Sequence, residues 1–368
     1  MRRPLPPSQR VLLGAKGIEA AKSGKAAQHG TLAVLRIAAP QAPGYDELFN
    51  VRTLAHSRFL LIAVLCALLL AVLDCTLIAT QAKPEKPVMV PLEFIESWGV
   101  KGGHPGELDS PVSISTDSLG NIYLADAGSR FVHKFSPYGK PLLSFQEDAL
   151  KHPEWVTLDR GGAIYVGDPV RSSVFVFWAD AEHRRELHLR TRPSKENMLS
   201  VAVGWDGLIH VLDSNAAKVF SYTPRFRLAQ SWQVPNSVSD SGSRTPPGPM
   251  QMAFDGSLFV ASGKGPILHL TREGQLISQL GVASAAGSNV PRFSSEFAVS
   301  SNDVFVMDAD GRMLHVLTLD GTPRLDVDLA PQLGQAPRPA PTLAVSPRGE
   351  LLVVDTPGAR ILRYRINF

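Results

Sequence analysis

The residues able to do chemistry in this chain are carboxylates and histidines, because its two cysteines, Cys66 and Cys75, both fall in one apolar stretch near the N-terminus. HExxH, CxxC and P-loop patterns are absent, which removes the usual grounds for zinc hydrolysis, dithiol redox and phosphate cradling. Five aspartates stand at matched places, Asp126, Asp168, Asp213, Asp308 and Asp355, and a base follows four of them (Arg130, Lys218, Arg312, Arg360). A residue that returns in almost every repeat carries the repeat, so these carboxylates are expected to accept turn N–H groups and pair with the bases. His133, His269 and His315 recur too, each seven residues past the repeat's anchor position. Equivalent points on neighbouring units of a ring lie on the order of 15 Å apart, against about 2 Å from ligand to metal, so these histidines are expected to pack rather than share an ion. Glu154 and Glu296 do not recur. Two carboxylates brought face to face can hold a divalent cation such as calcium through oxygen or, closer together, share a proton. No other cofactor is implied.

What must position them is a repeat. GNIYLAD, GAIYVGD, GLIHVLD, GSLFVAS, NDVFVMD and GELLVVD end at residues 126, 168, 213, 262, 308 and 355, a period of 42 to 49 residues. Each is a turn residue, an apolar run and a polar stop, the signature of a buried strand. A shorter run precedes each anchor (VSIST, WVTLD, SVAVG, MQMAF, FAVSS, TLAVS), a third follows it, and a weaker fourth comes after a turn. Four antiparallel strands in units of 40 to 50 residues, six times over, predict an all-β, six-bladed β-propeller spanning 92–368. The last unit stops after its third strand, and an unassigned strand, LEFIESW at 92–98, precedes the first unit, so that N-terminal strand is expected to close the ring. First strands line the channel. Their leading residues are Val112 and Ser113, Glu154 and Trp155, Leu199 and Ser200, Met250 and Gln251, Glu296 and Phe297, Pro341 and Thr342. The candidate binding set at that mouth is therefore Glu154, Trp155, Glu296, Ser113, Ser200 and Gln251, with His152 just outside, and the two glutamates, in opposed blades two and five, are the candidate metal ligands. The loops between blades, rich in Pro, Gly and Ser, are expected to emerge on the same face.

The stretch WGVKGGHPGELDSPVSISTDSLGNIYLADAGSRFVHKFSPYGKPLLSF, at 98–145, resembles an NHL repeat: an aromatic residue before Gly, a Gly-rich loop, a Pro opening strand one, then D-x-x-G-N-I-Y-x-A-D and a basic residue. Blade one matches closely, blades six and five fairly, and the others in their anchors. The resemblance implies a bacterial six-bladed propeller, exported or membrane-anchored, and says little of function, since the fold hosts adhesion, RNA binding, lyases and lactonases. The amidating lyases place metal-binding histidines at the start of first strands, where this chain has none. Of the acidic and Asn ligands of lactonases it offers only Glu154 and Glu296.

Upstream, residues 59–73 read FLLIAVLCALLLAVL, with Arg52 and Arg58 before and Asp74 after, an export pattern. Residues 58–82 are expected to form a cleaved signal peptide or, through 59–79, an uncleaved transmembrane helix. Residues 1–57 are basic, with eight Lys/Arg against three Asp/Glu, and are expected to be disordered or, with a start at Val51, not translated. At 44% apolar and 19% charged the chain is built for a buried core, and with both cysteines upstream its propeller holds no disulfide framework. Residues 83–368 carry 28 basic against 30 acidic residues, which argues against nucleic acid as a partner. The sequence thus favours a binding or assembly module outside the cytoplasm, periplasmic or extracellular. Its partner would be a protein, peptide or glycan of the cell envelope. A metal-dependent lyase or lactonase-like hydrolase at the channel mouth is the alternative.

Overall fold

A computed structural model describes residues 9–12, 61–65, 67, 91–191, 193–194, 197–235, 246–262, 266–281, 293–334 and 341–368. Within 91–368 six antiparallel sheets follow one another, each starting from an inner strand: Pro111–Thr116, Trp155–Leu158, Leu199–Val203, Met250–Met252, Phe293–Val299 and Thr342–Ser346. The second strand of each blade carries the anchor, and Ile122–Asp126, Ile164–Asp168 and Ile209–Asp213 are buried throughout, as continuous apolar runs require. Fourth strands such as Leu228–Gln233 alternate exposed and half-buried residues, as an outer edge should.

The core is not inside any sheet but between sheets. Six apolar clusters occur, one per blade interface; Tyr123, Val132 and Phe145 of blade one, for example, pack on Val156, Phe175 and Phe177 of blade two. The sixth blade is completed as expected: Leu92–Trp98 pairs antiparallel with Arg360–Ile366, running from Leu92 opposite Ile366 to Trp98 opposite Ile361. Trp98 then crosses the seam, its ring 4.8 Å from that of Phe135 in blade one. Blade one gains a fifth strand, Gln9–Leu12, paired along Pro141–Gln146.

The recurring aspartates are turn pins. Asp126 accepts the N–H groups of Asp109, Ser110, Gly128 and Ser129 at 2.7–3.0 Å, and Asp308 those of Arg312 and Met313. They hold a turn whose fourth residue past the anchor is left-handed in four blades, at φ 62° for Arg130, 50° for Ser172, 48° for Ala217 and 49° for Ala359. The expected pairing with the following base forms at Asp355, 2.8 Å from Arg360, but Arg312 turns instead to Asp328 at 2.8 Å. Amide donors already satisfy the anchor carboxylate there, so the guanidinium finds a better partner on the outer strand.

The recurring histidines pack, each buried and bonded to a neighbouring side chain of its own blade: His133 to Ser144 at 2.9 Å, His269 to Ser257 at 2.9 Å and His315 to Asp326 at 2.7 Å. No described helix is long and apolar enough to cross a bilayer. The expectations for 1–57, 58–82 and the Pro-, Gly- and Ser-rich loops at 236–245, 282–292 and 335–340 lie largely outside the described residues.

Candidate functional site

At the end of the channel where first strands begin, the leading residues divide into two kinds. In five of the six pairs the second member reaches sideways to the next blade's backbone, Phe297 being the exception. Ser113 Oγ accepts the Val156 N–H at 3.1 Å, and Trp155 Nε1 donates to the Val201 carbonyl at 2.9 Å. Ser200 Oγ accepts the Met250 N–H at 2.9 Å and lies 3.0 Å from its carbonyl. Gln251 clamps both the Phe297 carbonyl, at 2.6 Å, and the Val299 N–H, at 3.1 Å. Thr342 closes the circuit by donating to the Val112 carbonyl of blade one at 3.0 Å. Inner strands cannot bond one another through their backbones across the splay of the blades, so side chains supply the missing partners. Four of the expected binding residues thus spend their polar atoms on blade-to-blade stitches, a role that a Ser or Gln at a strand start does not announce.

Glu154 and Glu296 remain. Burial lifts the Glu154 carboxyl from 4.5 to about 7, helped by the charges of Asp168 and of Glu296, so the structure brings the two glutamates within electrostatic reach. Its Oε2 is buried without a hydrogen-bond partner. Glu296 is likewise lifted to about 7 by burial, against hydroxyl bonds from Thr342 and Ser295 that favour its ionised form. Thr342 has a single hydroxyl proton, and when the Val112 carbonyl takes it, a protonated Glu296 is the better neighbour. Both carboxyls thus keep their protons to a higher pH than a solvated glutamate does. His152 lies half-buried at the rim, its backbone N–H donating to Asp168 at 3.0 Å.

Among the described residues no group of three or more His, Cys, Asp or Glu comes together as metal ligands. Calcium takes roughly six to eight oxygens and two carboxylates supply at most four, so a cation held here would need carbonyl or water oxygens besides Glu154 and Glu296.

The other end of the channel was not singled out in the sequence. Here the last residues of five inner strands, Thr116, Leu158, Val203, Met252 and Val299, with Val345 one residue before the end of the sixth, form a half-buried collar, five of its six members apolar. Below it the channel encloses about 250 Å³; above it a funnel of about 870 Å³ opens between the turns that join first to second strands. Leu119, Trp205 and Phe254 sit at the tips of those turns, 73%, 59% and 77% exposed. An aromatic residue inside GWDGL or AFDGS, where the hairpin needs only turn formers, was the available signal.

No family model matches this chain, and no curated protein matches it. Its fold is similar to that of a streptogramin B lyase, at TM-score 0.55 and 12% identity over 75% of this chain and 98% of that one. Virginiamycin B lyase from Staphylococcus aureus follows at 0.51 and 11% (75% and 89% covered), and the β-propeller domain of Cps50 (Swd1) from Myceliophteria thermophila at 0.51 and 11% (75% and 100%). At such identities the likeness is one of fold, shared by lyases and by a β-propeller domain of another kind.

Proposed function

We propose that this protein is a lyase or hydrolase of the lactone-opening kind, working at the channel mouth where the first strands begin, with Glu154 and Glu296 as its acid–base pair. What carries this reading is the placement of two carboxyls at the channel mouth, both lifted by burial to about 7, so that near neutral pH one can be ionised while the other is protonated. In hydrolysis of an ester, the ionised glutamate takes a proton from the attacking water. The neutral one gives its proton to the leaving alkoxide. The similarity to lyase folds supports the reading without identifying a substrate.

The test is a panel of lactones and linear aryl esters assayed with the full-length protein across neutral pH. A bell-shaped profile centred at about 7, with Glu154→Gln and Glu296→Gln each losing roughly 100-fold in rate while melting no lower than the wild type, is the expected outcome. Turnover that both variants retain would end the assignment.

A second reading, an envelope binding module with a protein, peptide or glycan partner, is favoured by the exposed apolar tips at the opposite mouth. Under either reading we place the propeller outside the cytoplasm, with 59–79 as its signal or anchor and its blades as diverged NHL-type repeats.

A further inference from the structure

The funnel opposite the glutamates is a concave opening with an apolar floor, a polar wall and an apolar rim. Its volume, about 870 Å³, falls in the range of pockets that enclose ligands of drug size. Its floor is the aliphatic collar, contributed by every blade, and its rim carries three strongly exposed apolar side chains, Leu119, Trp205 and Phe254, on blades one, three and four. Isolated exposed apolar residues need no explanation, but three around one concave opening above an apolar floor do.

The charged groups on the wall narrow the class of occupant. Asp117 accepts the N–H groups of Leu119 and Asn121, and Asp159 that of Ala163 with the Tyr165 hydroxyl alongside. Asp303 pairs with Arg324 at 3.1 Å, Lys134 lies over the Tyr123 ring at 5.1 Å, and Arg160 lies 5.8 Å from the centre of the Phe254 ring. Each charge is thus engaged within the protein, and a charged ligand would have to break one of these contacts to be neutralised. Phe254 is 77% exposed at the rim, and a flat group lying against its ring would take the place of the Arg160 guanidinium there.

We infer that this funnel binds a small, uncharged aromatic molecule, its ring set against Phe254 and Trp205 and its apolar end directed into the collar. The site is separate from the glutamate pair and does not depend on the reading of that pair as catalytic.

The experiment uses the full-length protein and N-phenyl-1-naphthylamine, an uncharged aromatic probe whose fluorescence rises in apolar surroundings. Saturable binding of one probe per chain is expected. Phe254→Ser and Trp205→Ser should each weaken it roughly tenfold by removing a buried contact, while Leu276→Ser and Ile277→Ser, at exposed positions on the outer strand of blade four, should leave it unchanged. Probe binding indifferent to both turn variants would overturn the inference, because the probe would then sit away from the turn tips. Absence of saturable binding would overturn it as well. So would a dimer in sedimentation that Phe254→Ser dissociates, since the face would then belong to a second copy of the chain.

Discussion

Burying Glu154 and Glu296 makes folding take up protons. In the unfolded chain both ionise above about 4.5, whereas in the folded protein they keep protons up to about 7, so stability falls as pH rises through that window and the cost is complete above it. His133, lowered to about 4 by burial, acts in the opposite sense: its stabilisation is full above its unfolded value of 6.5 and is lost as pH falls towards 4. Substituting Glu154→Gln should therefore raise the melting temperature by several degrees at about pH 8 and leave it unchanged near pH 4.5, where the carboxyl is already neutral in the native state. Thermal melts at the two pH values decide this, and a variant no more stable than wild type at the higher pH would show that Glu154 is solvated. At this scale the sequence was legible where a residue broke the repeat, since a glutamate opening an inner strand in only two of six blades stood out. Ser113, Ser200 and Gln251 gave no such sign, because their partners are backbone atoms of the next blade, about 45 residues away along the chain.

Strands, turns and their contacts with the next blade follow a second rule that the repeat spacing did not reveal. The indole of Trp98, ending the closing strand, lies on Gly139 in the outer hairpin turn of blade one, and Trp232 of blade three does the same to Gly274 of blade four. A Cβ at Gly139 would stand 2.5 Å from the Trp98 ring, and both glycines have left-handed backbones, at φ +73° and +86°. Gly139→Ala and Gly274→Ala should each cost roughly 2–4 kcal/mol, combining backbone strain with a clash against a held ring. Gly349→Ala, at φ +70° with open space around it, should cost only about 1–2 kcal/mol. Denaturant unfolding of the three variants separates the terms, and equal losses would remove the indole from the explanation. Turn glycines can be read from sequence, but which tryptophan lies on which of them is set by blade splay, a property of the assembled ring.

Six blades, six interblade cores and one seam describe the molecule as a whole. The number of blades and the closing role of 92–98 were legible because the last repeat lacked a fourth strand and the first was preceded by a spare one. The funnel was not legible, because collar and turn tips from all six repeats meet only when the ring is closed. Deleting 92–98 from the full-length chain should lower the melting temperature by on the order of 10 °C or more, since it strips an edge strand, the Trp98 contact and the ion pair from Glu96 to Arg363 at 2.7 Å. An unaltered melt would mean the ring holds without its seam. The register of that seam has a mechanical consequence. Because Leu92 lies opposite Ile366, the chain enters and leaves the ring side by side, and tension applied between the two ends would peel the strands apart one ladder rung at a time rather than shear them together. Held at its N-terminal side and tugged at its C-terminus, the propeller opens like a zip, at the low force of serial rupture.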